Sequence, residues 1–131
     1  MIKGKKEKAF KIFLKTLSFI KKKTKLSPFY VVKKALRNVK PLLGLKNVKK
    51  GRKKYEVPYV ISYNMSQRLG IKWIIEHAKL RTKKGFNTDL AESLCDELID
   101  ASNLKGLSIK KRKHVHWLAT ENEISLRFWF L

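Results

Sequence analysis

The sequence of 131 residues is poor in acidic side chains, since 10 Asp and Glu stand against 32 Lys and Arg, a net charge of +22. A compact chain with that charge repels itself unless counterions or a polyanion neutralise it. The single cysteine, Cys95, excludes an intramolecular disulfide and a cysteine-rich zinc site. No apolar run approaches the roughly 18 residues of a membrane-spanning helix, so we expect no membrane insertion.

Signatures of catalysis are also absent. The sequence has no GxxxxGK[ST], GxGxxG, HExxH or GxSxG motif. His114 and His116 are two residues apart, which on a helix points them about 200° apart, so we expect phosphate or solvent contacts there and no metal or cofactor. Cys95 falls on an apolar stripe and is most simply a small core residue. The sequence therefore predicts a protein that is not an enzyme.

Basic residues dominate what is present. Residues 1–63 hold 20 basic and 2 acidic residues, a net +18, whereas residues 64–131 hold 12 and 8, a net +4. Lysine greatly outnumbers arginine, and lysine suits phosphate as a point charge. With 44% hydrophobic residues, the chain is predicted to be one globular domain, residues 1–131, that binds the backbone and shape of a nucleic acid.

The spacing of apolar residues predicts helices over 5–23, 28–40, 65–82, 88–102 and 108–129. Ser27 and Ser108 are the predicted N-caps, with Pro28 at a first helical position. The expected core stripes of the first three helices are Phe10, Phe13, Leu14, Leu17 and Ile20; Phe29, Val32, Leu36 and Val39; and Leu69, Ile71, Trp73, Ile74, Ile75 and Ala78. The first helix is expected to belong to the mature fold and not to a cleaved leader.

Acidic side chains are concentrated on the fourth predicted helix. Asp89, Glu92, Asp96 and Asp100 share its outer face. We expect this face either to be solvated or to contact a basic partner.

Residues 44–61 are predicted to form a two-stranded hairpin. Tyr55, Val57, Tyr59 and Ile61 alternate with period two, and Pro58 suits an edge strand. A basic turn separates the strands, formed by Lys49, Lys50, Gly51, Arg52, Lys53 and Lys54. The predicted fold class is therefore mainly α, a bundle of five to six helices with a projecting β-hairpin.

Several strings, in this order and spacing, are similar to the small-subunit ribosomal protein S-seven family over nearly the whole chain. They are Asn38-Val39-Lys40-Pro41, the Gly51-centred basic hairpin, Tyr55-Glu56-Val57-Pro58, Leu69-Gly70-Ile71-Lys72-Trp73, Glu97-Leu98-Ile99-Asp100-Ala101, Lys110-Lys111-Arg112, Val115-His116, Ala119 and Asn122.

The resemblance implies a structural protein of the small ribosomal subunit that binds the 3′ major (head) domain of its rRNA and nucleates head assembly. It implies a hairpin, at Lys49 to Lys54, that lies near the exit-site tRNA and the mRNA. It also implies neighbouring head and platform proteins as partners. The rRNA-binding role then falls on Lys3, Lys5, Lys6, Lys8, Lys11, Lys15, Lys22, Lys72, Lys110, Lys111 and Arg112.

Some positions depart from the family pattern. The family usually begins with a basic arm and an additional helix, and this sequence is expected to start at the end of that helix. The usual glycine pair of the turn is Gly51-Arg52, and a basic pair is replaced by Asn64-Met65. The aromatic C-terminus, Phe128 to Leu131, suggests packing against protein or rRNA. The Lys-rich composition suggests an organelle version in the mitochondrial matrix, with a plastid or a bacterial cytoplasm as alternatives.

Two other classes fit parts of the sequence. A DNA-compacting protein or helix-turn-helix regulator would use a turn near Gly85, although no helix is rich in the Arg, Asn or Gln of a base reader. A cationic membrane-surface protein would use the amphipathic helix at residues 5–23.

Overall fold

The computed structural model describes residues 4–83 and 89–130, and only the backbone at residues 48, 50, 53–55 and 124–130. Its elements are α1 (Lys6–Thr24), α2 (Pro28–Val39), β1 (Leu43–Lys50), β2 (Lys53–Val60), α3 (Tyr63–Lys83), α4 (Leu90–Ser102) and α5 (Leu107–Phe130). The predicted helical bundle with a projecting hairpin is confirmed, with five helices in the described ranges. Among them, none is long and apolar enough to cross a bilayer.

Helix α4 is the centre of the bundle, because it contacts the other four helices. Its buried residues lie on several sides and are mostly small: Ala91, Ser93, Cys95, Glu97, Leu98, Ala101 and Ser102. Small side chains let neighbouring helix backbones approach closely, which suits a helix surrounded by others. The core cluster around α4 includes Ile20 from α1, Val39 from α2, Trp73 from α3 and Ile109 from α5.

Only the second half of α1 packs on the bundle. The hydroxyl of Thr16 hydrogen-bonds to the carbonyl of Ala91 in the first turn of α4, 3.3 Å away, so the preceding turns of α1 extend past the beginning of that helix. The prediction that Phe10, Phe13 and Leu14 belong to the core is therefore wrong, since they are 59%, 40% and 49% exposed. The predicted burial of Ile20 is confirmed.

The predicted core stripe of α2 is confirmed at Val39, which is fully buried, while Val32 and Leu36 are partly buried and pack against the core. The buried residues are Val31, Ala35 and Val39, whereas Phe29 is largely exposed. Two hydrogen bonds join α2 to α4, because the Asn38 side-chain amide donates to the carbonyls that end α4, at 3.1 and 3.2 Å. They hold this face of α2 against α4.

Helix α3 buries Trp73, Ile74 and Ala78 as predicted. Ile71 and Ile75, which were expected to widen that face, are exposed. Small residues complete the face in their place, because Ser66 and Gly70 are also buried. A Cβ at Gly70 would lie 3.7 Å from the Lys40 nitrogen, so the end of α2 comes close to this face of α3.

Ser27 is the N-cap residue of α2, as predicted. The prediction that Ser108 is the N-cap of α5 is wrong, because α5 begins at Leu107. Ser27 precedes Pro28 at the start of α2, although its hydroxyl makes no capping hydrogen bond. Ser108 lies inside the first turn of α5, where it is buried and its hydroxyl donates to a Glu97 oxygen at 3.0 Å. Gly106, with φ +95°, makes the turn before α5.

The hairpin of β1 and β2 agrees with the predicted span to within one residue. Its register pairs Lys50 with Lys53, so the loop is the two residues Gly51 and Arg52. Gly51 has φ +67° and Arg52 is not among the residues with positive φ, which fits a type II′ turn with glycine at its first central position. The turn near Gly85, which the helix-turn-helix alternative needs, lies outside the described residues.

Candidate nucleic-acid interface

Helix α1 has two chemically different sides. Lys15 and Lys23 face α4, where their ammonium groups lie 2.5 Å from Asp89 and 2.7 Å from Asp96. Of these two, only Lys15 was a predicted rRNA-binding residue. The remaining predicted rRNA-binding lysines that the structure describes in this region are exposed and have no acidic partner among the described residues: Lys5, Lys6, Lys8, Lys11 and Lys22. Lys3 lies outside the described residues. Helix α1 therefore offers a cationic outer side.

The acidic face of α4 contacts a basic partner, and that partner is this chain itself. Lys23 pairs with Asp96 and lies 3.7 Å from Glu92, while the Arg81 guanidinium pairs with Asp100. The hydrogen bond from Lys15 lowers the pKa of Asp89, and the hydrogen bond to Asp96 raises the pKa of Lys23. These pairs occupy the acidic side chains and leave the remaining lysines facing outward.

A buried polar network joins α3, α4 and α5. Glu97 is fully buried and accepts hydrogen bonds from Arg81 Nε at 2.9 Å and from the Ser108 hydroxyl at 3.0 Å. That hydroxyl also lies 2.8 Å from His77 Nδ1. Burial is the largest influence on His77 and lowers its pKa. Since its polar groups hydrogen-bond to one another inside the bundle, the network stabilises the packing of α3, α4 and α5.

The hairpin tip concentrates positive charge. Lys49 lies opposite Lys54, and Lys50 opposite Lys53, across the two strands, and like charges directly opposite each other destabilise a ribbon. Lys49, Gly51 and Arg52 are exposed, while the side chains of Lys50, Lys53 and Lys54 lie outside the description. A polyanion would relieve this repulsion.

The predicted basic cluster at the start of α5, Lys110 to Arg112, is only partly available to a ligand, because two of its residues contact other parts of the chain. Lys110 is exposed, as is Lys72 on α3. Lys111 lies over the Trp73 ring, 5.2 Å from its centroid, and 3.9 Å from Glu76. Arg112 donates to the carbonyl of Asn38 and so also supports the fold.

His116 has a structural contact where phosphate or solvent was expected. Its Nε2 accepts the backbone N–H of Leu42 at 2.9 Å, which fixes the hairpin base to α5 and requires the neutral ring. Burial lowers the pKa of His116, and Arg112 lowers it further. His114 is exposed and stacks on Trp117, with ring centroids 6.1 Å apart.

The described residues contain no group of three or more His, Cys, Asp or Glu that could hold a metal ion. Cys95 is fully buried, and burial raises the pKa of its thiol to about 11. A thiol with that pKa is almost entirely protonated at neutral pH and is a poor nucleophile. Cys95 is therefore a core residue, as predicted.

A groove at the hairpin base was not identified from the sequence. It has a volume of about 450 Å³ and is lined in part by Arg37, Lys40, Tyr63 and Arg112. These residues come from the end of α2, the start of α3 and the first turns of α5, so no local pattern in the sequence connects them. The sequence predicted only that the second helix ends near Lys40, and it assigned Lys40 to no binding site.

The basic surfaces are separated in space. Helix α1 contacts neither α5 nor the hairpin among the described residues, while α5 packs against both strands. The cationic side of α1 is therefore distinct from the surface formed by the hairpin and α5. A basic helical body with more than one cationic surface is typical of proteins that bind nucleic acid over an extended area.

Comparison with known proteins identifies the class as ribosomal. The family model described as ribosomal protein S7p/S5e matches residues 1–123, and the chain belongs to this family.

Three bacterial relatives are each named small ribosomal subunit protein uS7. The protein of Solibacter usitatus is 41% identical over 123 residues, which is 94% of this chain and 76% of the relative. That of Kosmotoga olearia is 39% identical over 125 residues, 95% and 78% of the two chains. That of Mycoplasma mobile is 36% identical over 128 residues, 98% and 80% of the two chains.

Proposed function

We propose that this protein is a structural constituent of the small ribosomal subunit that binds the 3′ major (head) domain of its rRNA and acts early in head assembly. The proposal rests on membership in the S7 family. The observation that carries it is the division of charge, in which the acidic face of α4 pairs with Lys15, Lys23 and Arg81 while the remaining lysines of α1 point outward.

We further propose that the hairpin tip lies near exit-site tRNA and mRNA. Its exposed Lys49 and Arg52 and its like-charged strand pairs support this position. Neighbouring head and platform proteins are the proposed protein partners. The proposed location in the mitochondrial matrix rests on the Lys-rich composition. The bacterial relatives support the alternative location, a bacterial cytoplasm.

The rRNA proposal is tested by salt-dependent binding to a fragment of the 3′ major domain. If about six to ten phosphates are engaged, affinity falls roughly 10³–10⁵-fold between 50 and 200 mM salt. Unrelated duplex RNA and duplex DNA are the competitors. Equal affinity for the fragment and for duplex RNA would contradict specific binding, and a preference for DNA would favour the DNA-binding class.

A further inference from the structure

We propose that the groove at the hairpin base holds one unpaired nucleotide, with its base against Tyr63 and its phosphate against Arg37, Lys40 and Arg112. This inference rests on the proposed RNA-binding function and adds a specific subsite to it. The groove, of about 450 Å³, is in the size range of small-ligand sites.

The charge of the groove selects an anion. Arg37, Lys40 and Arg112 line it, and no described lining residue is acidic. The Nε atom of Arg112 is buried and has no hydrogen-bond partner in the described part of the chain, although the same guanidinium donates to the Asn38 carbonyl through Nη1. That hydrogen bond holds the Arg112 guanidinium in the wall of the groove, where its charge and those of Arg37 and Lys40 attract an anionic group such as a phosphate.

The other polar groups of the groove already have partners. The Ser66 hydroxyl donates to the Pro41 carbonyl at 2.8 Å, and His116 Nε2 accepts from Leu42 N–H at 2.9 Å. These contacts fix the lining and leave the cationic groups to interact with a ligand.

Tyr63 supplies a surface for a planar base. It is 66% exposed, yet its ring is held on two sides. The ammonium of Lys40 lies 4.6 Å from the ring centroid, and the amide of Gln67 donates to its hydroxyl at 2.7 Å. Because the ring is exposed and already held in place, it loses little side-chain conformational entropy when a base stacks on it.

The apolar lining also favours a nucleotide over a bare phosphate. Leu42 and Ile61, at the base of the hairpin, line the same groove as the three cations. Ile61 is buried and its N–H donates to the Leu42 carbonyl at 3.0 Å, which joins the two residues of this wall. Apolar wall, ring and cations together match a ligand with a flat apolar part and an anionic part. A single-stranded nucleotide has both, whereas the bases of a duplex are stacked and not available.

The test measures binding of two probes, the 3′ major-domain rRNA fragment and a short single-stranded oligouridine, to the full chain. Tyr63→Leu should weaken binding of both probes by about 5–30-fold, as expected for loss of one base–aromatic stack. The slope of log affinity against log salt should not change, because stacking releases no counterions. Tyr63→Phe, which keeps the ring, should stay within about twofold of wild type.

Tyr30→Leu is the matched control, because Tyr30 is an exposed tyrosine on α2 that does not line the groove. Arg37→Gln provides a second, independent variant, and it should reduce the salt slope by about one phosphate contact. Melting temperatures of all variants check that the fold is retained.

The outcomes separate the two proposals. If wild type binds the rRNA fragment specifically but Tyr63→Leu and Tyr30→Leu behave alike on both probes, the nucleotide subsite is wrong and the rRNA function stands. If specificity for the fragment is absent while Tyr63→Leu still weakens oligouridine binding, the subsite is supported and the rRNA proposal fails. If Tyr63→Leu leaves both RNA affinities unchanged but lowers the amount of protein in small subunits, the groove contacts a protein and the subsite is also wrong.

Discussion

Trp73 links the core of the bundle to its basic surface. It is 6% exposed and belongs to the central cluster, while the ammonium of Lys111 lies over its ring. A cation over an indole face is attracted to it, although at a partly exposed site the gain is modest. Burial of the ring is the larger effect, so we expect substitutions of Trp73 to act mainly on stability.

Trp73→Ala should lower the free energy of unfolding by about 3–5 kcal/mol, because it removes a buried aromatic side chain and leaves a cavity. Urea denaturation followed by circular dichroism measures this loss. Trp117→Ala, at a tryptophan that is 56% exposed, is the control and should change stability by less than about 1 kcal/mol. An unchanged unfolding midpoint for Trp73→Ala would show that the ring does not stabilise the core.

Two histidines make stability depend on pH. Burial lowers the pKa of His77 and of His116 below the value of 6.5 for an unperturbed histidine. The unfolded chain therefore takes up these protons at a higher pH than the folded protein does. Their contribution to stability is complete above about pH 6.5 and is lost as the pH falls through the lowered, folded-state pKa values.

We therefore expect the melting temperature to fall between about pH 7.5 and pH 5.5 at constant ionic strength. His77→Gln and His116→Gln should each reduce the size of that fall, even if they lower stability at neutral pH. His114→Gln, at an exposed histidine, is the control. A melting temperature that rises on acidification would contradict the proposed role of the two neutral rings.

At the scale of elements, the hairpin has an anchored base and an exposed tip. Leu42 N–H donates to His116 on α5, and Ile61 N–H donates to the Leu42 carbonyl. Gly51 and Arg52 at the tip are exposed and contribute to no core. An isolated two-stranded hairpin is only marginally stable, so packing on α5 stabilises the base, while the tip is available to a partner.

If the hairpin tip lies near exit-site tRNA, as proposed, Arg52→Glu should reduce tRNA retention without preventing entry of the protein into the small subunit. The change reverses one exposed charge and breaks no described hydrogen bond. Co-sedimentation in a density gradient measures entry, and tRNA retention on the purified subunits measures the second effect. Lys33→Glu, the same charge reversal at an exposed position of α2, is the control. Absence of Arg52→Glu from small subunits would contradict this division of roles.

The whole molecule combines a net charge of +22 with a few surface ion pairs. Exposed pairs such as Lys15–Asp89 contribute about 0–1 kcal/mol each and weaken in salt. Repulsion among the many remaining cations also weakens in salt, and it opposes the compact state. Because basic residues exceed acidic ones by more than threefold, we expect the relief of repulsion to exceed the loss of attraction.

The melting temperature of the free protein should therefore rise as sodium chloride is increased from about 20 to about 300 mM, a range in which the screening length falls steeply. Simultaneous Lys5→Gln, Lys8→Gln and Lys11→Gln substitutions remove exposed charges and should make the rise smaller. A melting temperature that falls with salt in wild type would show that attractive pairs dominate the surface.

The sequence by itself determined the basic character, the five helices, the hairpin with Gly51 in its turn, and the burial of Cys95 and Trp73. These features depend on composition, on local periodicity and on the φ preference of glycine, which are properties of short segments. Periodicity also assigned an apolar face to α1, but the exposure of Phe10 and Phe13 depends on where α4 begins. Likewise, the exposure of Phe29 and the burial of Val31 and Ala35 depend on how α2 packs against α4.

Only the tertiary structure decided which charges face outward and which side chains line the groove. Lys22 and Lys23 are neighbours in the sequence, yet Lys23 pairs with Asp96 and Lys22 is exposed. Arg37, Tyr63 and Arg112 belong to three helices and meet only because α2, α3 and α5 pack around the hairpin base. Long-range contacts of this kind have no local signal in the chain, since they depend on the packing of helix faces that are far apart in sequence.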